Sequence, residues 1–144
     1  MPYRLLPLGL VLLSLTSCDS RDGFDLSVGF ERDPPSPVIA GQSFAVRAIG
    51  VTGGTFEGVR VLVFRGSPQH DTDEGLTGDT LAVVPLDVES GSTSFDVPVT
   101  VTVPAEAVTQ PQPGSIYIEF RNGGCRPGCT GATGSSLELV PPQS

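Results

Sequence analysis

Apolar and polar residues alternate with a period of two through most of this sequence, and proline or glycine interrupts each alternating run. A period of two puts successive side chains on opposite faces of an extended chain, so each run reads as a half-buried strand. Phe24, Leu26, Val28 and Phe30 alternate with Asp25, Ser27, Gly29 and Glu31, and the prolines 34, 35 and 37 end that run. Phe44–Val51 predicts a second strand and Val59–Arg65 a third. The third is apolar on both faces, as expected in the middle of a sheet. Residues 50–54, rich in glycine, read as the turn between them. Across Leu81–Val103, a four-residue loop at Glu89–Ser92 brings Ala82 opposite Val99, Val84 opposite Val97 and Leu86 opposite Phe95. A slip of one residue destroys that apolar match, so a hairpin is predicted. Pro85 and Pro98 mark it as an exposed edge or a bulge. Pro104–Val108 predicts one helical turn. Ile116, Ile118 and Phe120 predict a strand with Tyr117, Glu119 and Arg121 facing outward, and Leu137 and Leu139 mark the last strand. Seven or so short strands without a long helical stretch predict an all-β fold. The expected form is a single β-sandwich of about seven antiparallel strands over residues 24–144, with a closed barrel as the alternative.

Charge excludes several classes of function. The 144 residues carry a net charge of −8, with 8 Lys plus Arg against 16 Asp plus Glu. All eight basic residues are arginines, scattered singly; the chain has no lysine. Phosphate backbones need concentrated positive charge, so nucleic acid is excluded as a partner. Without lysine there is no P-loop lysine, Schiff base or lysine general base.

The N-terminus opens with Arg4 beside the α-amino group. An apolar run, Leu5–Leu15, follows, and then Thr16, Ser17 and Cys18. The run is too short to span a bilayer as a helix, which takes roughly 20 residues. Pro7 and Gly9 also argue against a packed core helix. This segment resembles the signal peptide of bacterial lipoproteins. Their lipobox places a large aliphatic residue three before an invariant cysteine, with small residues between, and Leu15-Thr-Ser-Cys18 fits at each position. The resemblance implies that residues 1–17 are removed, that Cys18 is lipidated, and that residues 18–23 tether the following domain. It further implies a position on the extracytoplasmic side of a bacterial membrane, inner or outer.

With Cys18 assigned to lipid, Cys125 and Cys129 remain. They flank Pro127-Gly128, a turn signal, and in an oxidising compartment the expectation is a disulfide across that turn. A redox couple or a copper or zinc site is less well supported. Three residues rather than two separate the cysteines, and residues 18–144 contain no methionine and only His70.

The order and number of the strands resemble the immunoglobulin-like modules of bacterial envelope proteins. The likeness is architectural, since the chain lacks tryptophan and the inter-sheet cysteine pair of antibody domains. Residues 66–80 read as a polar, acidic loop. Within 70–79, Asp71, Asp73 and Asp79 suggest oxygen ligands for calcium, but Gly75 and Ala82 stand where an EF-hand requires ligands. His70 reads as a solvated loop residue; no nucleophile motif accompanies it. The expectation is therefore a non-catalytic envelope lipoprotein without a cofactor, acting through a protein partner or as structural support. The stretch from Asn122 to Ser135, read as a loop, is the expected contact surface. A calcium- or small-ligand-binding lipoprotein using residues 70–79 is the alternative.

Overall fold

A computed structural model describes residues 26–71, 74–123 and 130–143. Cys18, Asp73, Cys125 and Cys129, and with them the anchor and disulfide expectations, lie outside the described residues. The strands are β1 (Leu26–Phe30), β2 (Val38–Ile39), β3 (Ser43–Asp71), β4 (Gly75–Pro85), β5 (Ser92–Thr102), β6 (Gln112–Asn122) and β7 (Thr130–Val140). The only helical element among the described residues is a 3-10 turn at Ala105–Ala107, where one helical turn is expected from the sequence. The fold is thus all-β, with seven strands among the described residues in a sandwich-like arrangement.

β3 organises it. Its first half lies between β1 and β5, and its second half between β4 and β6, with β7 and then β2 continuing outward from β6. All these pairings are antiparallel except β2 with β7, which is parallel. The two layers therefore share one strand. The turn expected at residues 50–54 does not form. The ladder to β5 instead skips from Val51↔Ser94 to Phe56↔Ser92, and the extended chain bends through that irregularity. Glycine at 53 and 54 permits a bulge without ending the strand. As expected, residues 59–65 lie centrally, bonded on both sides, with Val61, Val63 and Phe64 fully buried.

The hairpin expected across Leu81–Val103 is also corrected. The turn itself is present, with Ser92 N–H donating to Glu89 O at 3.1 Å and Gly91 at φ +92°. Its two arms part, however, and both bond to β3: Val84 lies opposite Val61, and Val97 opposite Ala48. Ala82, Val84, Leu86 and Val97 still pack on one core with the buried Phe95 and Val99. Their apolar match reflects a shared interior rather than direct pairing. The prolines do mark edges, since among the described residues β4 and β5 each bond to β3 alone.

One apolar core fills the space between the layers, including Val46, Ala48, Val99 and Val101 from one and Val61, Ile116, Ile118 and Leu139 from the other. Phe56, just past the bend in β3, is fully buried and meets Phe95 at 4.9 Å and Phe120 at 5.7 Å, both edge to face. Such pairs contribute about 0.5–1.5 kcal/mol beyond their buried area. Phe56 thereby joins the layers where their shared strand changes partners.

Candidate functional site

The stretch read as an acidic loop is mostly a β-hairpin arm. β3 and β4 continue to pair through Gln69↔Thr77, His70↔Leu76 and Asp71↔Gly75. Between Arg65 and Gln69 the register shifts, and Gly66 takes φ +70°. Ser115 Oγ donates to Gly66 O at 2.7 Å and fixes this bend. Beyond it Leu76 packs with Leu62 and Phe64 in a second, smaller cluster, alongside Tyr117 and Ala132. The arm lies over the face of the sheet that points away from the main core.

Glu119 holds it there. The alternation of β6 predicts an outward side chain, and Glu119 is indeed on the outer face, yet only 7% exposed because the arm covers it. Its Oε1 accepts from Arg60 Nε at 2.6 Å, and its Oε2 accepts from the Leu76 N–H at 2.6 Å. Gly75, at φ +91°, brings the backbone so close that a Cβ there would strike the same carboxylate. Sequence alternation finds the face of Glu119 but not its burial. The available signal is a lone acidic residue between Tyr117 and Arg121 on a strand whose other face is apolar from Ile116 to Phe120.

At the tip of the arm, Asp71 Oδ1 accepts from the Glu74 N–H at 3.0 Å. His70 Nε2 donates to Thr130 O at 3.1 Å, and Thr130 Oγ1 donates to Asp71 O at 3.1 Å. His70 is exposed, as expected, but is a strand residue tied to β7. Asp79 lies four residues farther along β4 than Gly75, about 13 Å at strand rise. It bonds Arg65 Nε at 2.7 Å. Asp71 and Asp79 are thus held apart, and no group of three or more His, Cys, Asp or Glu among the described residues is placed to hold a metal.

Thr130 is the first described residue after the segment containing Cys125 and Cys129, and Gly123 is the last before it. Gly123 N–H donates to Thr55 O at 2.8 Å and packs against Glu57. Glu57 accepts from Ser90 Oγ and, at 2.9 Å, from Thr55 Oγ1. These two hydroxyls, Ser90 first, hold the Glu57 carboxyl below its ordinary pKa. The tip residues His70 and Asp71 and the flanking residues Gly123 and Thr130, far apart in sequence, therefore share one end of the sandwich. Of the stretch expected to be a loop from Asn122 to Ser135, residues from Thr130 onward belong to β7, and Asn122 closes β6.

These features define an all-β sandwich domain with an outer-face hairpin arm. No protein-family profile matches the sequence, and no curated protein sequence matches it significantly. The fold is similar to that of Spo0M, a sporulation control protein from Bacillus subtilis, with a TM-score of 0.52 and 11% identity. That match covers 81% of this chain but 49% of Spo0M, so the chain spans about half its length. A DUF4466 family protein from Parabacteroides merdae matches at a TM-score of 0.42 with 10% identity, over 79% of this chain and 42% of the other. At such identities the likeness concerns the fold alone.

Proposed function

We propose that the chain is a lipid-anchored, non-catalytic module of a bacterial envelope that binds a protein partner through the end of the sandwich bearing the cysteine segment. The lipobox residues Leu15–Cys18 support the anchor, with Cys18 as the acylated residue. Two acyl chains make such anchoring stable. The observation that carries the contact surface is the fixing of the two residues that flank the cysteine segment, Gly123 by Thr55 and Thr130 by His70 and Asp71. A loop held at both ends on a rigid scaffold loses less entropy when a partner binds it. A disulfide between Cys125 and Cys129 belongs to the same proposal and would stiffen the loop further.

Two experiments test it. Mass spectrometry of the protein purified from bacterial membranes should find residue 18 as the acylated N-terminus, and Cys18→Ala should release the chain from the membrane fraction. A photoreactive residue in place of Arg126, activated in intact cells, should give one dominant protein adduct. Adducts with lipid or with scattered neighbours alone would refute the contact surface while leaving the anchor standing.

A further inference from the structure

We infer that the outer edge of β7 is a docking edge, where an extended segment of another protein adds itself to the sheet as a further strand. The inference rests on the reading of this domain as an interaction module, and it specifies how the partner is held.

β7 runs from Thr130 to Val140 and pairs with β6 over ten consecutive residues without a register shift. On its other side β2 reaches only Leu139 and Val140. Glu138 N–H donates to Ser36 Oγ, and Val140 O accepts from Ala40 N–H, so the even-numbered residues of β7 point their backbone groups away from β6. By the strict alternation of an antiparallel ladder, Ala132, Gly134 and Ser136 do the same. Among the described residues no strand pairs with them on that side. Each presents a donor and an acceptor at strand spacing.

Sheet edges are normally guarded by charge, proline, bulges or brevity. The other edges of this fold follow that rule. β4 carries Asp79, Pro85 and two register shifts. β5 carries Asp96 and Pro98, and β1 is five residues long. From Gly131 to Ser136, β7 has none of these guards, only Gly, Ala, Thr and Ser. Its glycines are there for a reason. A Cβ at Gly134 would collide with the Tyr117 ring, and one at Gly131 with the Phe120 ring. The two aromatic rings lie across the strand, one on each face, and Tyr117 is half-buried. Aromatic side chains covering a glycine on the next strand are a recognised pairing device. Here Tyr117 offers an apolar platform to a side chain arriving on the added strand.

Charge selects the occupant. Glu138 stands exposed at one end of the open stretch; at the other, Asp71 O accepts from Thr130 Oγ1, and the Glu74 N–H bonds the Asp71 carboxylate. Arg121, opposite Thr130, is already engaged. The matching segment is β-branched or apolar at its centre and basic at its ends. A second copy fits poorly: two-fold pairing about Gly134 would set Glu138 of one copy beside Asp71 and Glu74 of the other, and like charges in register destabilise a pair.

The test is a selection of twelve-residue displayed peptides on the full chain in detergent, with Ser136→Pro as the counter-target. Proline at 136 deletes one outward N–H and leaves the bonds to β6 in place, as edge positions allow. Ser136→Lys supplies an independent edge guard, and the melting temperature of both variants reports folding. Enriched peptides should be basic at their ends and should bind Ser136→Pro roughly tenfold more weakly, the effect of about one lost backbone bond. They should also slow amide exchange at Ala132, Gly134 and Ser136. Peptides that bind folded Ser136→Pro and Ser136→Lys as well as the parent, or no enrichment over those variants, would overturn the inference. So would slow exchange at these three amides in the free chain, whose sedimentation would then tell self-association from cover by its own residues. A single partner adduct at residue 126 together with any of these failures would keep the module and remove only the edge.

Discussion

Removal of the Glu119 carboxylate should release the hairpin arm from the sheet. The side chain is 8% exposed and accepts two hydrogen bonds at 2.6 Å, from Arg60 Nε and from the Leu76 N–H. In Glu119→Ala the Leu76 N–H is left buried without an acceptor, which costs about 1–3 kcal/mol including the lost charge-assisted bond. Arg60 is 42% exposed and recovers water, so its share is at most about 1 kcal/mol. The sum is roughly 1–4 kcal/mol, a loss of about 10 °C in Tm near the middle of that range for a domain of this size. Glu119→Gln keeps the shape but turns an N–H₂ toward one of the two donors, so about half of that loss is expected. Urea unfolding measures the global change, and hydrogen exchange at Leu76 the local one. The Leu76 amide should exchange at least tenfold faster in Glu119→Ala, and Arg60→Ala should cost less than either Glu119 variant. A loss below about 0.5 kcal/mol with unchanged exchange at Leu76 would refute the reasoning. The arm would then be held by Leu62, Phe64 and Leu76 alone.

Phe56→Ala should cost about 3–5 kcal/mol in urea unfolding, because it empties the fully buried ring site against Phe95 and Phe120. Gly75 and Gly91 share nearly the same backbone, φ +91° and +92°, but only Gly75 faces an obstacle. Gly91→Ala should therefore cost about 1 kcal/mol, the backbone contribution alone, and Gly75→Ala distinctly more, by the same measurement. Ser90 and Thr55 lower the Glu57 pKa in the folded chain. Its contribution is thus present above the unfolded carboxyl value, near 4.3, and is lost as pH falls through the lowered folded value. Glu57→Gln should flatten that part of an acid stability profile by lowering stability at neutral pH, with little change below the lowered folded value.

The structure bears out much of what the local pattern implies. Alternation identifies the strands that carry Val28, Val46, Val61, Ile118 and Leu139, and the apolar run at 59–65 marks a strand bonded on both sides. Pro85 and Pro98 mark edges. The turn at Glu89–Ser92 and the helical turn near Ala105 are legible for the same reason: such signals depend on a few neighbouring residues.

What the sequence determined by itself was which residues extend, where they turn, and which side of each strand is apolar, because the period of two is a property of the local backbone. It also carries Leu15–Cys18, the run of adjacent residues on which the proposed anchor rests. Only the tertiary structure decided the partners. A glycine pair between two strands reads equally well as a turn or a bulge, and the ladder to β5 made it a bulge in β3. Two strands with matching apolar faces can pair or can face a common core, and both bonded to β3 instead. Glu119 was buried by an arm from another strand, and among the described residues no strand covers the outer edge of β7 before Leu139, because β2 ends after two pairs. Each of these outcomes depends on contacts between residues distant in the chain, where loop closure and packing set the energy and no local period records it.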